Sequence, residues 1–209
     1  LLPGLTGDEK ACALFLDSKG IPLQDANGQW LHYNDLSPDA QKKLVSSLAN
    51  HLVSRGASGE TLAELVGEVY EFPAEDRHSM LYDAKEFSTL FNACGRHGHA
   101  ELGVQVALRK PGALESALEV LSLHRSLISN GMSAARSGTE DFGAFYFLDG
   151  RGRISDTVVG TVIGNFFNSG LLARNKPIIG FSLDETGQVK ASGRGGKQLV
   201  AQGLDLNEV

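Results

Sequence analysis

The sequence predicts an α/β protein: a helical N-terminal segment, a long connecting helix, and a small module with a mixed sheet. Three observations predict it. Apolar residues recur at helical spacing through most of residues 1–137. The longest such stripe, Leu114, Leu118, Leu121, Ile128 and Met132, runs from about residue 112 to 137 without a proline. Beyond Gly138 the apolar period shortens to two, and glycine-containing turns separate the runs.

Taken in order, Thr6 and Glu9 have capping-box spacing, and Cys12, Leu14 and Phe15 supply one apolar side of a helix that Gly20 stops. Residues 21–36 read as loop or short strands, with Trp30 and Tyr33 as a small core or, alternatively, a partner-facing aromatic patch. Ser37-Pro38 is an N-cap followed by proline at the first helical position; Leu44, Val45, Leu48 and Leu52 continue that helix to Gly56. A third helix is expected over 59–66, then a strand over Glu68–Phe72 closed by Pro73. Asp83 and Glu86 form another capping box ahead of Phe87, Leu90, Phe91 and Cys94. A helix over Leu102–Leu108 ends before Pro111, and the long helix follows, ended by Gly138. The alternation of Phe142, Ala144, Tyr146 and Leu148 with Gly143, Phe145 and Phe147 predicts a strand apolar on both faces, hence interior to a sheet. Ser155 or Asp156 opens a helix to about Asn168. Strands over Pro177–Leu183 and Gln188–Ala191 are joined by Asp184-Glu185-Thr186-Gly187, with glycine for the left-handed position. The expected domains are 1–78, a helical insertion segment; 79–138, ending in the connecting helix; and 139–209, the α/β module.

The chain has 209 residues, 42% hydrophobic and 21% charged, with a net charge of −6. Residues 142–209 carry seven Lys/Arg against six Asp/Glu, so residues 1–141 hold the remaining −7. This asymmetry permits a nucleic-acid face without arguing for one. Two cysteines, Cys12 and Cys94, are too few for a disulfide scaffold, which points to an intracellular, cytoplasmic protein. The N-terminus has no basic run before an apolar one, as a signal peptide would. The apolar stretch Val158–Leu172 is broken by Gly160, Gly164, Asn165, Asn168 and Gly170, which excludes a membrane span and a membrane partner.

Two constellations carry chemistry. Ser192-Gly193-Arg194-Gly195-Gly196-Lys197 follows a predicted strand and precedes a short helix. Its glycines leave backbone N–H groups free to approach an anion, Ser192 adds a hydroxyl, and Arg194 can fork onto phosphate oxygens. It is not a Walker loop, because Ala191 and Gln198 stand where that motif needs Gly and Ser/Thr. The alternative is a flexible turn with solvated cations. In Asn92-Ala93-Cys94-Gly95-Arg96-His97-Gly98-His99, Cys94, His97 and His99 invite a zinc reading, but a second close ligand pair is lacking. Equally, Gly95 could cap a helix whose negative end Arg96 and His97 complete, or Arg96 could clamp a phosphate. Arg151 and Arg153 are further cations beside the first strand, and Asp149 and Asp156 read as turn and cap residues.

Here resemblance adds to the residues. Asn92-Ala93-Cys94-Gly95-Arg96 resembles the N-A-A/C-G-R signature of RecJ-type exonucleases of the DHH phosphoesterase superfamily, archaeal members above all. Asp149–Val162 is similar to the first strand and helix of the DHHA1 domain, and Pro177–Arg194 to its hairpin, with Ser192-x-Arg194 at the S-x-R position. Pro3-Gly4-Leu5-Thr6-Gly7 resembles the segment after the DHH core. The resemblance implies that Ser192 and Arg194, with Gly193 and Gly195, grip the 5′ phosphate of a single strand. It implies that Arg96, with Asn92 and His97 nearby, faces the scissile phosphate. The family's D-x-D and D-H-H metal motifs and its G-G-G-H motif are absent from the chain. The resemblance therefore implies a divalent metal, Mn or Mg, in a full-length parent and no cofactor here, and a chain that alone is not a nuclease. It also implies GINS and other replisome proteins as partners, docked through the acidic segment 1–78, and leaves an oligonucleotide or dinucleotide phosphoesterase as a more distant alternative.

Overall fold

Helix α1 spans Glu9–Ser18 and is capped by Asp8, whose carboxylate accepts from the Ala11 backbone N–H at 2.9 Å. Thr6, the expected cap, faces backward instead: its hydroxyl accepts from the Leu2 N–H. Gly20 stops the helix at φ +60°. Leu14 of the expected apolar side is exposed, whereas Phe15 meets the His51 ring edge-on. This computed structural model describes residues 2–6, 8–57, 59–63 and 65–206. Gly7 of the Pro3–Gly7 segment, residue 64 of the expected third helix and the last three residues of the C-terminal domain lie outside the described residues.

The chain divides into two compact units, Leu1–Glu68 and Val69–Val209. In the first, α2 (Pro38–Val53) begins as predicted: the Ser37 hydroxyl accepts from the Ala40 N–H, and Pro38 takes the first helical position. Helix α3 is the short segment Gly59–Ala63. Among the described residues of this unit, Leu5, Ile21, Leu36 and Leu52 are the buried hydrophobic side chains. The core expected around Trp30 and Tyr33 does not form, since the two side chains are 60% and 49% exposed. Between α1 and α2 there is a single Gln24–Trp30 bridge and one 3-10 turn, Tyr33–Asp35, and neither makes a face that could cover an aromatic ring.

In the second unit the alternation over Glu68–Phe72 does not become a strand. One bridge pairs Glu71 with Asp83, and Val69 and Tyr70 stay exposed. Phe72 packs edge-on against Phe87; the pairing with Tyr82–Ala84 is confined to the backbone bonds flanking that bridge, too short to make a strand. Helix α4 (Ala84–Arg96) starts on Asp83, which accepts from the Lys85 and Glu86 N–H groups at 2.8 and 3.0 Å. Gly95 lies within its last turn, and the left-handed residue after it is Gly98 (φ +76°). Helices α5 (Ala100–Ala107) and α6 (Ala113–Gly138) follow. Leu81, Leu90, Ala93, Cys94, Val106, Ala113, Ala117 and Leu121 form their shared core. A fully buried leucine there contributes roughly 1.5–3 kcal/mol by leaving water.

The rest of the unit is a four-stranded mixed sheet in the order β1-β2-β3-β4: Thr139–Asp141, Tyr146–Asp149, Ile178–Leu183 and Val189–Arg194. The strand expected from Phe142 is interrupted at Gly143 (φ +81°), where the chain turns between β1 and β2. As expected, β2 is interior, antiparallel to β1 and parallel to β3. Helix α7 (Val159–Asn168) makes that parallel crossover. Its regular part starts later than Ser155, because Ser155 first closes a turn: its hydroxyl accepts from the Thr157 N–H, and its carbonyl from Val158 and Val159. Tyr146, Leu148 and Ile178 pack on Val158, Val159, Val162, Ile163, Phe166 and Phe167. Gly131 of α6 and Gly180 of β3 face Val162 and Ile163 so closely that a Cβ at either would collide. On the other face, Phe147 meets Phe181 and Phe142 edge-on. Strand β4 runs three residues beyond the expected end, because its ladder with β3 continues to Arg194 opposite Ile178. Helix α8 (Lys197–Ala201) follows. Among the described residues, no helix is long and apolar enough to cross a membrane.

A candidate phosphate-binding face

Strand β4 sets the site through its register. Lys190, Ser192 and Arg194 stand opposite Ser182, Gly180 and Ile178, the buried residues of β3 on the side that α7 covers. Residues directly opposite in an antiparallel pair share a face. Lys190, Ser192 and Arg194 therefore form a polar row on the sheet edge, directed at α7. Each is accounted for there. The Lys190 ammonium donates to the Asp156 carbonyl at 3.0 Å, with the Asp156 carboxylate 3.7 Å away. Arg194 donates from Nη2 to the Gly160 carbonyl at 3.3 Å and from Nη1 to its neighbour Gly193 at 2.7 Å.

Glycines on α7 make the room. A Cβ on Gly160 would lie 3.4 Å from the Ser192 hydroxyl, and one on Gly164 would lie 3.4 Å from Arg194 Nε. The two glycines are one turn apart, so the guanidinium lies along a strip of bare helix backbone. The glycines of the Ser192–Lys197 segment differ in their packing. Gly193 is in the ladder opposite Ile179. A Cβ on Gly195 would strike Leu204, whereas one on Gly196 would make ordinary contacts with Phe167 and the Arg174 carbonyl.

Arg96 arrives from the end of α4 and donates from Nη1 to the Thr157 carbonyl at 3.3 Å, just before α7. Asn92 is exposed one turn earlier on the same helix. The two constellations singled out in the sequence thereby meet at one structural element, the entry of α7. Among the described residues neither Arg96 nor Arg194 has a carboxylate within ion-pair distance. Both hold neutral carbonyls, which a phosphate would outcompete as a hydrogen-bond acceptor.

His97 turns away from this face: its Nε2 is 3.0 Å from Nδ1 of His124, with the rings edge to face. His124 is 6% exposed, and its pKa is pushed down by burial first, then by His97 and Arg96. Cys94 is fully buried and its thiol is pushed up by burial. His99 is exposed at the N-terminus of α5. Among the described residues no three His, Cys, Asp or Glu side chains gather as a metal-ligand set.

Arg151 and Arg153 are held elsewhere. Arg151 forks onto the Asp149 carboxylate at 2.9 and 2.7 Å, and Arg153 donates to the Asp149 carbonyl at 2.6 Å. The Arg151 guanidinium brings the Asp149 carboxyl down to about 2. Sequence reasoning missed Lys190, His124 and the role of Gly160 and Gly164. Lys190 had a signal, the period-two row Lys190-Ala191-Ser192-Gly193-Arg194, legible once the strand is extended to Arg194.

Residues 1–66 match the family model of the DHH-CID domain. No curated protein matches the chain. The matched segment lies outside the unit that carries Arg96, Lys190, Ser192 and Arg194, so the similarity to the DHH-CID family is independent of their geometry.

Proposed function

We propose that this chain is the substrate-binding part of a RecJ-like phosphoesterase and that its Val69–Val209 unit grips the phosphates of single-stranded nucleic acid. The observation that carries this reading is the meeting of Arg96 with Ser192 and Arg194 at the entry of α7, the two arginines lying on backbone carbonyls rather than on acids. Side chains that hold neutral acceptors exchange them for a phosphate at little cost, and charge-assisted bonds replace neutral ones. Ser192 supplies a hydroxyl beside Arg194, so one phosphate can receive both a forked and a single donor. Arg96 approaches from a different helix, which suits a neighbouring phosphate or the one to be cleaved. Hydrolysis itself belongs to a metal-bearing parent, and the chain alone is a binder.

The test is equilibrium binding of short single strands carrying a 5′ phosphate or a 5′ hydroxyl, at two salt concentrations. The expected result is tighter binding of the phosphorylated strand, with an affinity that falls as salt rises. Equal, salt-insensitive affinities for the two ends would remove the phosphate grip.

One observation favours a second role for the Leu1–Glu68 unit. Trp30 and Tyr33 are exposed, and Tyr33 lines a shallow hollow with Pro38, Gln41, Lys42, Val45 and Ser46. Exposed aromatic rings beside a hollow suit a protein partner, and the replisome docking implied by the resemblance would use this surface. A scaffold role there and a phosphate grip in the other unit are compatible in one protein.

A further inference from the structure

The cationic row on β4 is longer than one phosphate requires. We propose that Lys190 is a second phosphate-binding residue, so that this face takes two successive phosphates of a chain and selects an oligonucleotide over a single nucleotide. The inference rests on the reading of Ser192 and Arg194 as a phosphate grip.

The geometry carries it. Lys190, Ser192 and Arg194 occupy alternate positions of one edge strand and share the face toward α7. Their Cα atoms step by about 6.6 Å, so Lys190 and Arg194 are about 13 Å apart along the strand. Their charged ends settle on Asp156 and Gly160, four residues apart in the chain. A separation of about 13 Å along the strand exceeds the reach of one phosphate's oxygens and suits successive phosphates of an extended single strand. Ser192 lies between the two cations and can serve either phosphate. The Asp156 carboxylate, 3.7 Å from the ammonium, competes for Lys190 but belongs to a half-exposed pair, in which the Lys190 side chain is 52% exposed. Such pairs are weak and yield to a better acceptor. A lysine on an edge strand also deters pairing with a second sheet. That duty requires neither alignment with Ser192 and Arg194 nor a seat on the turn that opens into α7.

The experiment uses the full 209-residue chain with thymidine 5′-monophosphate and with 5′-phosphorylated oligothymidylates of two and six nucleotides. Wild type should bind the dinucleotide more tightly than the mononucleotide. Lys190→Ala should erase that gain, roughly tenfold at low salt, while leaving mononucleotide binding unchanged. It should also flatten the salt dependence of hexanucleotide binding by about 0.7 in log–log slope, the value for one lost contact to a single strand. Lys190→Arg should restore both. Arg194→Ala should weaken all three ligands. An unchanged gain and slope in Lys190→Ala would overturn the inference and leave the grip by Ser192 and Arg194 standing. A wild-type chain that binds none of the three overturns both.

Discussion

At the end of β2, Arg151 lies in a fork on the Asp149 carboxylate, and Arg153 closes the same turn on the Asp149 carbonyl. Along α7, Arg96 and Arg194 lie on the carbonyls of Thr157 and Gly160, and no carboxylate pairs with either among the described residues. All four arginines are exposed residues of one unit. In the sequence each pair reads as glycine-flanked cations beside a strand or helix end. The difference is electrostatic for Arg151; Arg153, on a backbone carbonyl, is set apart only by lying in the same turn. An arginine forked on its own carboxylate is neutralised and geometrically committed, whereas one resting on a carbonyl keeps its charge for a ligand. Glycine content therefore says less about a phosphate site than the identity of the acceptor each cation already holds.

The largest effect that this comparison predicts is a split between two alanine variants. Arg194→Ala should weaken binding of a 5′-phosphorylated single strand by roughly 10- to 100-fold, the loss of a charge-assisted fork of about 1.5–3 kcal/mol. Arg151→Ala should leave that affinity within twofold. Fluorescence anisotropy on the same labelled strand measures both. Equal losses would mean that carboxylate pairing does not separate the two groups.

A smaller and sharper effect comes from the glycine strip. Gly164→Ala adds a Cβ 3.4 Å from Arg194 Nε, close enough to press on the guanidinium without striking backbone. The same change favours the helix by up to about 1 kcal/mol, because alanine loses less backbone entropy than glycine. The expected outcome is a protein as stable as wild type or more so that binds the phosphorylated strand several-fold less tightly. Denaturant midpoints and anisotropy together check it. Unchanged affinity would show that the seat of Arg194 on α7 is not the binding conformation.

Much of the fold was legible because caps and stripes agree locally. Ser37-Pro38 and Asp83 each start the helix they announce, and Gly187 closes the β3–β4 hairpin in the left-handed conformation. The failures share a cause. Glu68–Phe72 alternates like a strand, but its partner, Tyr82–Ala84, passes into helix α4 and supports only a single bridge. Trp30 and Tyr33 look like core by residue type, yet the short loop between α1 and α2 builds no face to cover them. For the site, motif and resemblance found Ser192, Arg194 and Arg96, whereas the acceptors that hold them depend on packing. Lys190 emerges only from the register of β4, and His124 is a polar residue on an apolar stripe whose partner comes from another helix. Gly160 and Gly164, which look like breaks in an apolar run, are the floor under Arg194.

Acid separates the two regions once more, with the smallest effect. Asp149 titrates at about 2, so the Arg151 fork stays intact at mildly acidic pH. His124 is different, because burial and the charges of His97 and Arg96 disfavour its protonated form in the fold. The unfolded chain takes up that proton near the ordinary value of 6.5. Below that value the unfolded state binds more protons than the native state, so stability is complete above pH 6.5 and declines as the pH falls. Two protonated rings would also place donor against donor across the 3.0 Å contact that ties the end of α4, and with it Arg96, to α6. Denaturation midpoints between about pH 7.5 and about pH 5 should fall for wild type and fall less for His124→Gln, which cannot take the proton. Parallel slopes in the two proteins would show that the histidine pair does not govern the acid response, and the difference between the two arginine groups would then rest on their acceptors alone.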